Sequence, residues 1–189
     1  MTPVFEHPCL APEDLLRWMI QNPSRLDWST LEESGLASST LQKRRALRGG
    51  SEPVMHEALE LLATRRRPGP GQWHVLEGVT KVDCALLGED LTVFIEGKRT
   101  EPRLTERASW LNGRDQVIRN LDCLRVEPRR AAHWLSLMVV DAGSTAEADA
   151  RRLDLGGARL AAAVPHLSTE AANDLWSHYA GYTTWQAIE

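Results

Sequence analysis

The sequence lacks several features that would assign a chain to a membrane, secreted or nucleotide-binding class. No apolar run approaches the length that crosses a bilayer, so we expect no membrane-spanning helix. The first residues lack the basic-then-apolar order of a secretory signal, and we therefore expect a cytoplasmic protein. Neither a P-loop nor a GxGxxG motif occurs, which leaves nucleotide-driven chemistry without support.

The cysteines and histidines also lack the spacings of two common kinds of site. Cys9, Cys84 and Cys123 are scattered and form no CxxC pair, so we expect neither a disulfide framework nor a thiolate zinc site. They are expected to be reduced residues of the core. The histidines show no HxxxH or HExxH spacing, which gives zinc catalysis little support.

The composition and charge that are present fit one globular domain. The length of 189 residues suits a single domain, and 42% hydrophobic with 25% charged residues excludes a disordered or fibrous chain. The net charge is −4, but two basic segments, 41–67 and 98–130, flank the acidic segment 68–97. This pattern is expected if the acidic residues hold a metal ion and the basic residues on either side bind phosphates. The alternative is that the basic residues lie on solvent-exposed helix faces.

Helical periodicity marks the first part of the chain. It predicts helices that run from Pro12 to Asn22, from Ser38 to Gly49 and from Ser51 to about Arg65. We therefore interpret residues 1–50 as a helical N-terminal extension and residues 51–189 as the main domain of a chain with a single domain overall.

Beyond residue 72 the pattern changes from helical to extended. It predicts an antiparallel three-stranded meander formed by Trp73–Val79, Val82–Leu87 and Leu91–Ile95. After the meander, the pattern predicts a helix at Arg114–Arg125, a strand at Ala132–Val140, a small helix from Thr145 and a closing helix at Thr169–Tyr179. This order predicts the α/β class.

The turn between the last two predicted strands sets the register of a hairpin. If Glu89 and Asp90 form a two-residue loop, Asp83 lies opposite Glu96. Two carboxylates in that arrangement destabilise a sheet unless a cation compensates them. Lys98 is two residues beyond Glu96 and projects from the same face. Asp83, Glu96 and Lys98 are thus predicted to converge, and a simple salt bridge at the strand edge is the alternative.

This hairpin resembles the motif of the PD-(D/E)XK, or restriction-endonuclease-like, superfamily. The resemblance is carried by Val82-Asp83, the hairpin turn and the tetrapeptide Ile95-Glu96-Gly97-Lys98. The core of that superfamily is a helix, a three-stranded β-meander, a helix and a strand, an order that residues 51–142 are predicted to follow. The chain departs from the motif at Val82, which occupies the position before the Asp where the name PD-(D/E)XK gives proline. The resemblance implies a restriction-endonuclease-like core with the helical extension before it.

The superfamily resemblance also implies an activity. It implies metal-dependent hydrolysis of phosphodiester bonds in nucleic acid, with DNA as the expected substrate and Mg²⁺ or Mn²⁺ as the cofactor. Asp83, Glu96 and the backbone carbonyl of Gly97 would hold the ion through oxygen atoms. Lys98 would orient or deprotonate the attacking water and stabilise the developing negative charge.

Many members of the superfamily supply a further Glu from the helix that precedes the meander. Glu57 is the preferred candidate over Glu60, because it lies one turn from Val54 and Leu61 on the face expected to pack on the sheet. Glu57 is therefore predicted to complete the catalytic group. A solvent-exposed helix charge is the alternative.

Four residues after the motif are candidates for contact with nucleic acid. Arg99 and Arg103 follow Lys98 and are expected to contact phosphates, unless they belong to a solvated loop. Some superfamily members place a Gln on the next helix, where this chain has Gln116 followed by Arg119. A partly buried amide is the alternative for Gln116.

Two functions of different classes remain open at this point. The first is a metal-dependent nuclease, favoured by the intact Asp83, Glu96 and Lys98. The second is a catalytically inactive protein of the same fold that acts as a nucleic-acid-binding or assembly subunit, favoured by the acidic net charge. The resemblance also allows a homodimer, because enzymes of the superfamily often dimerise to cut two strands, but no residue of the sequence identifies an interface.

Overall fold

The computed structural model describes residues 1–28, 37–64, 72–99, 110–111, 113–153 and 157–188. Within these ranges the chain forms five strands and eight α-helices. In chain order they are β1 (Thr2–Cys9), α1 (Glu13–Gln21), α2 (Ser38–Arg48), α3 (Glu52–Ala63), β2 (Thr80–Leu87), β3 (Leu91–Lys98), α4 (Gln116–Arg125), β4 (His133–Val140), α5 (Thr145–Arg151), α6 (Gly157–Ala163), α7 (Thr169–Ser177), β5 (Tyr179–Thr184) and α8 (Trp185–Ile188). None of the described helices is both long and apolar enough to cross a membrane.

The strands form one mixed sheet with the spatial order β1-β2-β3-β4-β5. β1 and β3 pair antiparallel with β2, whereas β4 is parallel to β3 and β5 is parallel to β4. A parallel connection requires a crossover, and α4 supplies it between β3 and β4. The predicted α/β class is confirmed at this level.

The β2-β3 hairpin has the predicted register. Cys84 lies opposite Ile95, and the amide of Gly88 donates a hydrogen bond of 3.0 Å to the carbonyl of Leu91. The loop between the two strands therefore contains two residues. Antiparallel pairing keeps the sum of paired residue numbers constant from Leu87–Thr92 to Cys84–Ile95, and Asp83 and Glu96 lie just beyond these pairs.

The predicted first strand of the meander, residues 73–79, is wrong. These residues form turns and bends, and Trp73 and Leu76 pack within the helical cluster that contains α1 and α3. The third antiparallel strand is instead β1, at residues 2–9. The interpretation of residues 1–50 as helical throughout omitted this strand, which pairs along its length with β2.

The other predicted elements agree with the structure in their positions. The predicted helices correspond to α1, α2, α3, α4, α5 and α7, and the predicted strand at Ala132–Val140 corresponds to β4. The closing helix ends at Ser177, because the chain turns there into β5. The sequence patterns did not predict β5, α6 or α8.

Two groups of buried apolar side chains hold these elements together. One lies between the sheet and the helices α4 to α7, and it includes Phe94, Ile118, Leu121 and Met138. The other joins α1, α2 and α3 to residues 110 and 111. Helix α4 packs against both β3 and β4, and the side chain of Asn120 on this helix reaches Glu96 near the end of β3.

Candidate active site on the β2-β3 hairpin

Glu96 and Lys98 form a buried ion pair at the end of β3. Lys98 Nζ lies 2.9 Å from Glu96 Oε1, and the two residues are 4% and 8% exposed. Their spacing of two along a strand puts both side chains on one face of the sheet. Burial of two charges is costly, so further hydrogen bonds are expected around such a pair.

Helix α4 supplies these further hydrogen bonds through two amide side chains. Asn120 Nδ2 donates to Glu96 Oε2 at 2.9 Å. Gln116 Nε2 in turn donates to Asn120 Oδ1 at 3.1 Å and to Thr80 Oγ1 at 3.0 Å. Gln116 and Asn120 are four residues apart and therefore adjacent on one helix face. Gln116 thus bonds directly to β2 at Thr80 and reaches Glu96 through Asn120, a residue that the sequence patterns did not indicate.

Asp83 lies beside Gly97 on the neighbouring strand. Its Oδ2 accepts a hydrogen bond of 2.7 Å from the Gly97 amide. Val82 and Ala85 are both fully buried although they are three residues apart, so the alternation of β2 shifts at Asp83 and Cys84. The carboxylate of Asp83 is consequently held by the backbone of β3 while the residue stays half-buried.

The charge of Asp83 acts on the carboxylate of Glu96. Burial raises the pKa of Glu96 above its ordinary value, and the negative charge of Asp83 adds to the increase. The hydrogen bonds and positive charge contributed by Lys98 and Asn120 act in the opposite direction. A cation bound beside Glu96 would stabilise the ionised form of its carboxylate.

Glu57 is directed elsewhere, which corrects the expectation that it reaches the hairpin. Its carboxylate forms an ion pair with Lys43 of α2, and α3 packs against α1 and α2. The physical reason is the absence of the predicted strand at residues 73–79. Without that strand, α3 has the helical cluster as its packing surface.

The three arginines predicted to contact nucleic acid have different environments. Arg99 is exposed, and its guanidinium carbon lies 6.0 Å from the centre of the Trp185 ring. Arg119 lies deeper, with Nε 3.7 Å from Glu77 Oε1. Arg103 lies outside the described residues.

A second buried charge cluster anchors the start of α4, and the sequence patterns gave no indication of it. Arg114 is completely buried and donates two hydrogen bonds of 2.8 Å to the carboxylate of Glu77. The same guanidinium lies 3.0 Å from Asp122 Oδ2. Burial alone would lower the pKa of Arg114, but the charges of Glu77 and Asp122 raise it above its ordinary value. The cluster ties α4 to the loop before β2.

Comparison of the chain with protein-family models, with curated proteins and with solved structures found no match. Membership of the PD-(D/E)XK superfamily therefore stays a prediction that rests on the hairpin residues. The geometry itself consists of a half-buried carboxylate, a buried carboxylate and a buried ammonium at one end of β3. Such a set can hold a hard cation and stabilise negative charge beside it.

Proposed function

We propose that this chain hydrolyses phosphodiester bonds of nucleic acid, with DNA as the substrate, in a reaction that depends on Mg²⁺ or Mn²⁺. The observation that carries the proposal is the buried Glu96–Lys98 pair, with Asp83 bonded to the intervening Gly97. This is the set of residue types that phosphodiester hydrolysis by a PD-(D/E)XK nuclease requires.

The donor atoms at the hairpin fit a magnesium ion. Asp83 and Glu96 offer carboxylate oxygens, and Gly97 offers a backbone carbonyl, all of the kind that Mg²⁺ prefers. Glu96 already accepts hydrogen bonds from Lys98 and Asn120. An ionised carboxylate has about four lone-pair sites on its two oxygens, so these bonds leave acceptor capacity for a cation.

Each residue has a distinct part in the proposed reaction. A bound divalent ion would supply Lewis acidity that lowers the pKa of a water molecule. Lys98 donates hydrogen bonds that orient the attacking water and stabilise the negative charge that develops on the phosphoryl oxygens. Asn120 positions the Glu96 carboxylate, and Gln116 fixes the amide of Asn120.

Exposed cationic groups near the hairpin would bind the nucleic-acid backbone. Arg99 directly follows Lys98 and is exposed, so its guanidinium can donate to a phosphate without desolvation of a buried charge. Arg103 remains a candidate from the sequence for the same role. The half-buried Arg119 is less suited to it because it lies beside Glu77.

The test is a cleavage assay with plasmid and single-stranded DNA in the presence of Mg²⁺ or Mn²⁺. We expect Asp83→Ala, Glu96→Ala and Lys98→Ala each to abolish cleavage. Glu60→Gln removes an exposed carboxylate on α3 and is the matched control, which should cleave like the wild type. Circular dichroism of each variant separates loss of chemistry from loss of fold.

Two outcomes would contradict the nuclease proposal. Cleavage that persists in all three hairpin variants would show that the activity arises elsewhere. Salt-sensitive DNA binding without metal-dependent cleavage by the wild type would instead favour a catalytically inactive nucleic-acid-binding subunit.

A further inference from the structure

A second group of potential metal ligands lies where β1 meets the end of α4. His7 and Cys9 are two residues apart on β1, so their side chains project from the same face of the strand. Glu127 follows the end of α4. One ligand atom from each of these three residues lies within 4.8 Å of the others.

All three side chains are withdrawn from solvent. His7 and Cys9 are 3% and 2% exposed, and the side chain of Glu127 is 9% exposed. His7 Nε2 and Glu127 Oε2 are 3.2 Å apart. The imidazole packs edge-on against Phe94, with ring centres 5.5 Å apart, which restricts the orientation of its nitrogens.

Arg129 directs the carboxylate of Glu127 towards this cluster. The backbone amide and Nε of Arg129 lie 3.3 and 3.2 Å from Glu127 Oε1. The other carboxylate oxygen, Oε2, is therefore the one that faces His7. This arrangement brings an imidazole nitrogen, a sulfur and a carboxylate oxygen together at one point.

A cavity of about 560 Å³ adjoins the three side chains. His7, Cys9 and Glu127 contribute to its wall, together with apolar residues such as Leu10 and Val126. The cavity is large enough to admit water beside the cluster. A metal ion bound there would therefore have room for a ligand in addition to the three protein groups.

We propose that His7 Nε2, Cys9 Sγ and Glu127 Oε2 form a Zn²⁺ site whose fourth coordination position opens into this cavity. Zn²⁺ accepts nitrogen, sulfur and carboxylate oxygen in tetrahedral sites, and three protein ligands with one open position are a common arrangement. Mg²⁺ prefers oxygen ligands, so a thiolate and an imidazole select against it. The site shares no residue with the Asp83, Glu96 and Lys98 group and does not depend on the proposed nuclease activity.

Zinc binding changes the protons and hydrogen bonds of the cluster. Cys9 binds as a thiolate, so its thiol proton is released to solvent. His7 Nε2 and Glu127 Oε2 would exchange their hydrogen bond for bonds to the ion, and the ring proton of His7 would move from Nε2 to Nδ1 through solvent exchange. The guanidinium of Arg129 now lies 3.3 Å from Nδ1 and must move away from it, which its exposure permits.

The test uses the purified 189-residue chain with Zn²⁺ in a calorimetric titration and Co²⁺ as a coloured substitute. With excess Mg²⁺ present to occupy the proposed hairpin site, we expect one equivalent of Zn²⁺ to bind, and Co²⁺ to give a sulfur-to-metal charge-transfer absorption band. Cys9→Ser should lose this band. Glu127→Gln should keep the band and should release the metal more readily to a competing chelator.

Two matched control variants identify which cysteine sulfur binds the metal and where in the fold the metal binds. Cys123→Ser removes another buried thiol that lines the same cavity, and it should keep the band. Glu96→Ala removes a carboxylate of the hairpin, and it should bind Zn²⁺ like the wild type. Absence of Zn²⁺ binding, or a band that survives Cys9→Ser, would overturn the proposal.

A measurement on the wild type covers the case in which a variant of buried Cys9 fails to fold. X-ray absorption at the zinc edge of the loaded chain should show one sulfur at about 2.3 Å, with nitrogen and oxygen as the remaining ligands. A zinc environment without sulfur would refute the site. Failure of the nuclease assay would leave this result unaffected, because the two tests address different residues.

Discussion

Asn120 Nδ2 on helix α4 lies 2.9 Å from Glu96 Oε2 at the end of strand β3. This hydrogen bond crosses from the helical layer to the sheet and links two residues that are 24 positions apart. Both residues are buried, with Asn120 completely inaccessible to solvent. Asn120 therefore fixes one oxygen of the carboxylate while Lys98 binds the other.

We expect Asn120→Ala to destabilise the fold by about 1–3 kcal/mol, because a buried carboxylate oxygen loses its hydrogen-bond donor. The midpoint of urea unfolding should fall accordingly. Asn173→Ala, at an exposed position of α7, is the matched control and should change stability by less than about 0.5 kcal/mol. Equal effects of the two substitutions would show that the Asn120 amide contributes little.

The hairpin register could be predicted from sequence because it depends on local features. A two-residue loop fixes which residues lie opposite each other, and Gly88-Glu89-Asp90 between two apolar strands signals such a loop. The sequence indicates the role of Asn120 less clearly. It lies three residues after Val117 and next to Leu121, on the inward stripe of α4, where a polar side chain needs a buried partner.

Strand β1 could not be predicted in the same way because its residues are unusual for a strand. Pro3 and Pro8 cannot donate hydrogen bonds, and Glu6 has a φ of 50°. Such residues are tolerated on β1 because it is the edge of the sheet. The His7–Cys9–Glu127 cluster was missed for the same reason, since it exists only when β1 pairs with β2.

A strand was wrongly predicted at residues 73–79 because these residues are rich in apolar side chains, although they lack the alternation of apolar and polar residues that a strand shows. Trp73 and Leu76 are buried by tertiary packing against the helices, which a local pattern cannot reveal. Glu77 is buried there because Arg114 neutralises it. This pairing spans 37 positions, and it is therefore also outside the range of local sequence patterns.

We expect Glu57→Gln to leave metal-dependent cleavage unchanged, because Glu57 binds Lys43 away from the hairpin. Loss of a partly exposed ion pair should cost at most about 1 kcal/mol of stability. Cleavage rates at saturating Mg²⁺ measure the first effect and urea unfolding the second. Glu96→Gln is the contrasting substitution and should abolish cleavage. A comparable loss of cleavage activity in both variants would show that Glu57 does take part in catalysis.

Gly97→Ala should disturb the contact between β3 and Trp185. A methyl group at this position would lie 3.1 Å from Trp185 Cζ2 and 3.6 Å from Asp83 Oδ2. Overpacking of this kind costs about 1–3 kcal/mol, which urea unfolding can measure. Gly78→Ala is the control, since its added Cβ would meet no atom within 4 Å.

A double-mutant cycle identifies the cause of that loss. If the Trp185 ring is responsible, Gly97→Ala should cost less in a Trp185→Leu background than in the wild type. The expected coupling is about 0.5–3 kcal/mol. Additive effects of the two substitutions would contradict a direct clash.

Asp122→Asn should lower stability by about 1–3 kcal/mol at neutral pH, because Arg114 loses one of its two carboxylate partners while Glu77 still pairs with it. Burial alone would raise the pKa of Asp122, but the charge of Arg114 and the hydrogen bond with His166 hold it well below the ordinary value of 3.8. The folded-state pKa is thus depressed. The stabilisation by this carboxylate is present above pH 3.8 and is lost as the pH falls through the folded-state pKa.

The difference in stability between wild type and Asp122→Asn should therefore narrow as the pH falls below 3.8. Urea unfolding at a series of pH values between neutrality and about pH 2 measures this difference. Asp174→Asn, at an exposed position of α7, is the matched control for loss of a carboxylate. A difference that stays constant in acid would mean that Asp122 stabilises the fold through shape and packing, and that the existing pair with Glu77 is enough to balance the charge of Arg114.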